Sequence, residues 1–409
     1  MAADERRVAA ALDATQPPEA ARRGAPKPTD PWTPGFHIDG DEGTLTTDRI
    51  PDGQDPEWAT IFAYWGLDPD LWVLADDGNL RVNAWEMPGP EGELRVHRQY
   101  KATIRRRVAV ADRFDADAAL DRLATWRPRK LKPVQGSGAT WVVNAADWQI
   151  GGRGGTAAFE DRFQRALADL VVEARARRRA GVTELVVGYL GDMAEGSHGN
   201  YPGQTFEVDI DRDDQTRLVA AYEMTLLREL APYFARTTAV AVPGNHGRNN
   251  SNYETGDHDV TDVTSFKWAA SLLVASGEAD KHHLTFVLPE KHNGTLMARI
   301  ETSGTRILFA HGHKTKGDAS RLRTWWRDVA FSRYGDSDAS DHLVTGHRHH
   351  VHVEECSADR WLFVCPTLGG DSPWFHDGGG PTSRPGILHY VTTDRLVRDV
   401  SIAGTEPQS

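Results

Sequence analysis

The chain has 409 residues, 39% of them hydrophobic and 26% charged, and its 59 acidic against 47 basic side chains give a formal net charge of −12. That balance argues against binding nucleic acid through bulk positive charge, which leaves local clusters such as Arg105-Arg106-Arg107, Arg127 to Lys132 and Arg175 to Arg179. No stretch approaches 18 consecutive apolar residues, the N-terminus lacks an apolar signal core, and there are only two cysteines, so a soluble protein of a reducing cytoplasm is expected.

Residues 1–50 are rich in Ala, Pro, Arg, Asp and Thr without sustained periodicity, and they predict a flexible N-terminal arm. Asp55 and Pro56 suit the cap and first residue of a helix on which Trp58, Ile61, Phe62 and Trp65 fall at helical spacing before Gly66. LWVL (71–74), LRVNAW (80–85) and ELRVHRQYKATIRR (93–106) read as strands, the first two joined by the turn Asp76-Asp77-Gly78-Asn79. The result is a small α+β module at residues 51–112. Its tryptophans are most simply core residues; a base-stacking surface is the sharper alternative. Residues 113–137 read as a helix and a Pro- and Arg-rich linker, and the main domain as 138–405.

In that domain the run Gly151-Gly-Arg-Gly-Gly155 lacks the Lys-Ser/Thr of a phosphate-binding P-loop, so it reads as a flexible segment. Phe159, Phe163, Ala166, Leu167, Leu170 and Ala174 mark one face of an amphipathic helix, whose Arg175 to Arg179 end suits the helix dipole. A second helix is expected over 213–235. Eighteen polar residues, carrying Asp257, His258, Asp259 and Asp262, then read as a long loop. Strands are expected near 284–288, 295–301 and 306–310, a helix over 319–332, and strands near 351–356, 361–365, 387–393 and 396–402. Cys356 and Cys365 lie on strands whose pairing sets Cys356 near Leu362, so no disulfide is expected.

Five short strings end apolar runs in this domain: Asp147-Trp-Gln149, Gly191-Asp192, Gly244-Asn245-His246, His311-Gly-His313 and Gly346-His347-Arg-His349. Apolar or β-branched runs bounded by Gly, Pro or Asp read as buried strands, and polar groups at successive strand ends can converge in one crevice. Asp, Asn, Gln and His are the ligand types expected for two neighbouring divalent cations. Taken singly, each string has a plainer reading, as a helix cap, a turn or a surface histidine cluster. Their joint order is the informative feature.

That order resembles the calcineurin-like metallophosphoesterase superfamily, with its pattern D-x-H, GD, GNH(D/E), H, GHxH, over roughly residues 138–370. It departs twice: Gln149 stands where His is usual, and Gly247 where an acidic residue usually follows GNH. The DWQIG and GNHGR strings and the appended front module also resemble phosphoesterases of actinobacterial phages, which would place the chain in a host cytoplasm. The resemblance implies an α/β fold with two central mixed sheets flanked by helices, and a site holding two divalent metal ions. Asp147, Gln149, Asp192 and His349 would hold the first metal. Asp192 would bridge to a second held by Asn245, His311 and His347, with His246 as general acid. Gln149, a harder and weaker donor than imidazole, tilts the expected metal toward Mn²⁺, with Mg²⁺, Fe²⁺ and Zn²⁺ as alternatives. An acidic substitute for position 247 is sought in Asp257, His258 or Asp259. His313, His350 and His352 match no ligand position.

By analogy with the DNA-repair exonucleases of the superfamily, the expected function is a phosphodiesterase acting on nucleic acid, a DNA nuclease. The alternatives are an enzyme acting on nucleotides or other small phosphoesters, and a non-catalytic scaffold. The N-terminal module is the expected contact for DNA, a protein partner or an oligomer.

Overall fold

The computed structural model describes residues 32–39, 42–51, 54, 56–75, 80–88, 93–106, 114–125, 131, 136, 138–152, 155–197, 208–248, 260–290, 295–317, 319–369 and 384–405. The chain divides into two compact units, Met1–Asp112 and Arg113–Ser409.

The first unit contains strands β1 (Gly35–Asp39), β2 (Glu42–Thr46) and β3 (Ile50–Pro51), helix α1 (Trp58–Tyr64), and strands β4 (Trp72–Leu74), β5 (Arg81–Pro88) and β6 (Leu94–Arg106). Its pairing is antiparallel and centred on the 13-residue β6. Strands β2 and β3 take successive stretches of one edge of β6, and β5 and β4 take the other. The expected β4–β5 hairpin is therefore corrected: each pairs with β6, whose last residues extend past β5 and accept β4. Residues 76–79 lie outside the described residues. Within residues 1–50, read from the sequence as an arm, β1 and β2 pair antiparallel instead. Phe36, Ile38 and Leu45 alternate with polar residues and pack with Phe62, Leu67 and Ile104, and that apolar face holds the pair to the sheet. Trp58, Trp65 and Trp72 pack against the same cluster.

The second unit begins with helix α2 (Ala116–Ala124), capped by Asp115, whose carboxylate accepts the Ala118 N–H at 2.9 Å. There follow β7 (Thr140–Ala145), α3 (Gly155–Arg179), β8 (Glu184–Tyr189), α4 (Arg212–Leu230), β9 (Arg236–Ala241), α5 (Thr261–Ala275), α6 (Glu278–Lys281), β10 (Leu284–Val287), β11 (Ala298–Thr302) and β12 (Thr305–Ala310). The chain continues with α7 (Ala319–Phe331), β13 (His342–Thr345), β14 (His352–Ser357), β15 (Arg360–Val364), β16 (Ile387–Thr393) and β17 (Leu396–Ala403). The long loop expected after His246 ends early, because α5 starts at Thr261.

These strands form two mixed sheets. One has the order β10-β9-β8-β7-β16-β17, with β7 to β10 parallel; the other has β11-β12-β13-β15-β14, with β12, β13 and β15 parallel. The sheets meet in a core of Val142, Val186, Val240 and Leu388 against Ile307, Phe309, Val344 and Phe363, where the rings of Phe363 and Tyr390 stack 4.2 Å apart at 3°. Helices α3, α4 and α5 supply residues to the core on the other face of the first sheet, and Leu322 and Trp326 of α7 to that of the second. Strands buried on both faces read as unbroken apolar runs, and this accounts for TWVV, ELVV and RILF. Both cysteines are free, Cys356 at a bulge of β14 and Cys365 buried. Among the described residues no helix is long and apolar enough to cross a membrane.

Candidate metal centre

Three of the five strings follow the parallel strands β7, β8 and β9, and the other two follow the parallel strands β12 and β13, so within each sheet they emerge at the same end. Buried aromatics fix the first string: Trp148 is fully buried against Phe159, Phe163 and Tyr189, at ring distances of 5.3, 5.7 and 6.0 Å. Burial of this kind contributes roughly 1.5–3 kcal/mol for a large apolar side chain and anchors the turn between Asp147 and Gln149. Main-chain bonds then tie the strings together, from Asp147 N to Gly191 O at 3.2 Å and from Gln149 N to Asp192 O at 3.0 Å.

Asp147, Gln149, Asp192, His347 and His349 all adopt left-handed backbone, with φ of 50°, 46°, 52°, 69° and 58°. Non-glycine residues in this region are uncommon, each costs free energy, and they cluster at functional sites. The strain is held by close approach. Gly346 leaves room for the Asp147 carboxylate, which a Cβ there would meet at 2.7 Å, and a Cβ at Gly244 would overlap Asp192 Oδ1. Freed of side chains at these points, the loops pack directly on the two carboxylates.

Asp192, His311 and His347 bring one ligand atom each to within 4.8 Å of one another. His311 Nδ1 donates to the Leu190 carbonyl at 2.7 Å, which fixes the tautomer and turns Nε2 toward Asp192 Oδ2 at 2.8 Å and Asn245 Oδ1 at 3.1 Å. Asp192 Oδ2 is buried and makes no hydrogen bond of acceptable angle despite that short distance. A buried carboxylate, a carboxamide oxygen and imidazole nitrogens gathered this closely are a donor set suited to a divalent cation. Asp147 accepts the His347 N–H at 2.8 Å and lies 3.5 Å from His349 Nε2. The Gln149 side chain is half-buried and makes no hydrogen bond among the described residues. Its backbone is what the described residues engage, which leaves the carboxamide oxygen open to a ligand role.

Charge follows this arrangement. Burial opposes the charge on Asp192, but His311, His246 and His347 outweigh it and hold the carboxyl well below its ordinary range. Burial also opposes a charged His311, which Asp192 and Asp147 raise to about 9. Burial and His311 push His347 down to about 2, the neutral form that donates a lone pair. His313, with both ring nitrogens buried and not hydrogen-bonded among the described residues, is held down to about 3 by burial and His311. His350 and His352 engage Arg348 O at 2.7 Å and Glu354 at 3.2 Å.

His246 donates its backbone N–H to Asp192 Oδ1 at 2.8 Å, and its Nδ1 lies 3.2 Å from Glu195 Oε2. Glu195 is a residue the sequence reading missed. It sits three positions past Asp192, and Glu195 N bonds Ile150 O at 2.9 Å, which curls the segment back over the site. The substitutes sought for Gly247, residues 257–259, lie outside the described residues. Gly247 itself packs on Thr261, which a Cβ would meet at 3.0 Å, so a larger acidic residue fits poorly there. A second missed residue is Asp262, 1% exposed, which accepts backbone N–H groups from Asp192, Met193 and Gly244. Burial and the nearby Asp192 push its carboxyl up to about 6.

No family model matches the chain, and no curated protein matches it. Solved structures give loose likenesses. Vps29 of Chaetomium thermophilum is 11% identical, with 61% of this chain and 84% of that chain covered and a TM-score of 0.28. A dimetal phosphatase from Danio rerio is 11% identical, with 67% and 100% covered and a TM-score of 0.30. A protein of unknown function from Aquifex aeolicus is 14% identical, with 53% and 83% covered and a TM-score of 0.23. These TM-scores are too low to assign fold or function, and the reading of the site rests on the chain's own residues.

Proposed function

We propose that this chain is a metal-dependent phosphoesterase of the calcineurin-like kind, a phosphodiesterase that cleaves DNA. The observation that carries the reading is the strained convergence of Asp147, Gln149, Asp192, His347 and His349 with Asn245 and His311 at the ends of five strands. In the proposed assignment Asp147, Gln149, Asp192 and His349 hold one cation, and Asp192, Asn245, His311 and His347 the other, with Mn²⁺ favoured by the carboxamide donor. Two such cations, when bound, supply a water made acidic enough to act as hydroxide and neutralise phosphoryl charge. The chain's own part is then to orient the phosphoryl group and protonate the leaving oxygen. Burial opposes the charged form of His246, but Glu195 and Asp192 outweigh it and raise the ring to about 10 in the metal-free chain. With Nδ1 donating to Glu195, Nε2–H is the proton available to a leaving alkoxide.

The choice of DNA is supported by the resemblance in the motif strings and by the first unit. Strand β6 carries Arg95, Arg98, Lys101, Arg105 and Arg106, and β5 places Trp85 opposite His97. A cationic strand beside an aromatic ring suits single-stranded nucleic acid.

The test combines equilibrium dialysis with Mn²⁺ and turnover of DNA, RNA, cyclic nucleotides, phosphopeptides and bis(p-nitrophenyl) phosphate. Wild type should bind two cations and cleave diesters, and Asp192→Asn should lose at least one cation and nearly all turnover, because a neutral amide does not offset two cations. A wild-type chain that binds no metal and turns over nothing is a scaffold. Turnover of nucleotides but not of DNA moves the substrate to small phosphoesters.

A further inference from the structure

Asp262 lies in the first turn of α5, where an acidic residue ordinarily complements the helix dipole from solvent. This one faces away from water, and the residue before its helix, Val260, supplies no side-chain cap. Its Oδ1 accepts the Met193 N–H at 2.9 Å, and its Oδ2 accepts both the Asp192 N–H at 3.1 Å and the Gly244 N–H at 2.8 Å. The first two donors belong to the turn after β8 and the third to the turn after β9. One oxygen thus spans the two loops that carry Asp192 and Asn245. Asp192 extends the same connection, since its Oδ1 accepts the N–H of Asn245 at 2.6 Å and of His246 at 2.8 Å.

A buried carboxylate beside another carboxylate is costly unless its hydrogen bonds compensate, and a plain packing role would be filled better by an apolar residue. Three backbone donors are what this carboxylate gains. An aspartate of α5 thereby fixes the gap between the two strand-end loops from behind, where the Asp192 carboxylate and the His246–Glu195 pair join them from within the site. Groups that orient ligands from behind control metal affinity even though they never touch the ion.

We propose that Asp262 is a positioning residue that sets the spacing of Asp192 and Asn245, and with it the affinity of the second cation site. The inference rests on the phosphoesterase reading above. Its test is calorimetric titration of the full metal-free chain with Mn²⁺, without substrate, for wild type, Asp262→Asn and Asp262→Glu. Asp262→Asn keeps the volume but presents an amide N–H₂ to a backbone donor; Asp262→Glu keeps the charge and displaces it by one methylene. The second Mn²⁺ should bind roughly 10–100-fold more weakly in Asp262→Asn, and less severely so in Asp262→Glu, while the first is little changed. Leu230→Ala, a core truncation in α4, serves as the control: it should lower Tm and leave both Mn²⁺ affinities intact. If wild type binds two Mn²⁺ and either folded Asp262 variant binds both with wild-type affinity, the positioning role is overturned and the phosphoesterase reading stands. If wild type binds none, the phosphoesterase reading falls and takes this inference with it. Asp262→Glu provides the same readout should Asp262→Asn not fold.

Discussion

Gly247 leaves His246 with no acidic neighbour in the sequence, and Glu195 supplies one from a different loop at 3.2 Å. With the Nδ1 proton directed at Glu195, the ring is held in one orientation and its charged form is favoured over the neutral one. Glu195→Gln keeps a hydrogen-bonding oxygen but removes the charge. It should leave Mn²⁺ stoichiometry unchanged and reduce kcat on a diester with an alkoxide leaving group by about 10–100-fold, less than the ~10²–10⁴ expected when the acid itself is lost. With p-nitrophenolate, which leaves with little protonation, the loss should be much smaller. Equal losses on both substrates would remove Glu195 from any role in proton donation. The five strings were legible because each is a polar break after an apolar run. Glu195 was not: its pairing with a residue 51 positions away depends on how the segment after Asp192 folds back along Ile150. Gln149 shows the opposite limit. Its substitution for His stands out in the sequence, yet only its backbone is engaged by the described residues.

At the scale of elements, apolar runs located the strands of the second unit to within a few residues, and helical spacing located α3, α4 and α7. Helix α4 stops at Leu230 rather than near 235 because Pro232 opens a 3-10 turn, Ala231–Tyr233. Helix α5 escaped for a different reason. Val263, Phe266, Ala269 and Leu273 face the core, but Trp268, Leu272 and Val274 are exposed, so apolar residues lie all round and no single stripe marks a helix. Strand register has its own anchor. Asp341, just before β13, accepts Arg306 N at 2.9 Å, Nε at 3.0 Å and Nη2 at 2.8 Å, and so pins the start of β12 to that of β13. Burial pushes the Asp341 carboxyl up, but the Arg306 side chain and backbone outweigh it and hold it below its ordinary value. A depressed carboxyl stabilises the fold above its unfolded pKa, near ~3.9, and loses that contribution as pH falls through the lower folded value. Asp341→Asn should therefore cost about 1–3 kcal/mol near pH 7. The gap from wild type should narrow below about pH 4, as read by urea unfolding at both pH values; a gap that stays constant would break the link to this carboxylate.

For the whole molecule, the net charge of −12 and the cationic β6 point in opposite directions about nucleic acid. Arg81, Arg95, Lys101 and Arg105 share one face of β5 and β6 with Trp85, the alternation along β6 placing Tyr100, Ala102 and Ile104 on the other. Arg49 lies 5.7 Å from the centre of the Trp85 ring, so the aromatic already accepts a cation on that face. Bulk charge describes the average and misses this segregation. The second unit has its own core and contains every candidate ligand together with His246 and Glu195. Removal of residues 1–112 should therefore leave Mn²⁺ binding and bis(p-nitrophenyl) phosphate turnover within about twofold of wild type. DNA turnover should fall much further, through KM rather than kcat, and the truncated chain should lose most of the salt dependence of DNA binding because released counterions scale with the phosphates contacted. Comparing KM for DNA at low and high salt, with and without the first unit, decides the matter. Equal salt slopes would place the nucleic-acid contacts on the second unit and leave the first to a protein partner or to a second copy of the chain, whichever a change in oligomeric state on truncation identifies.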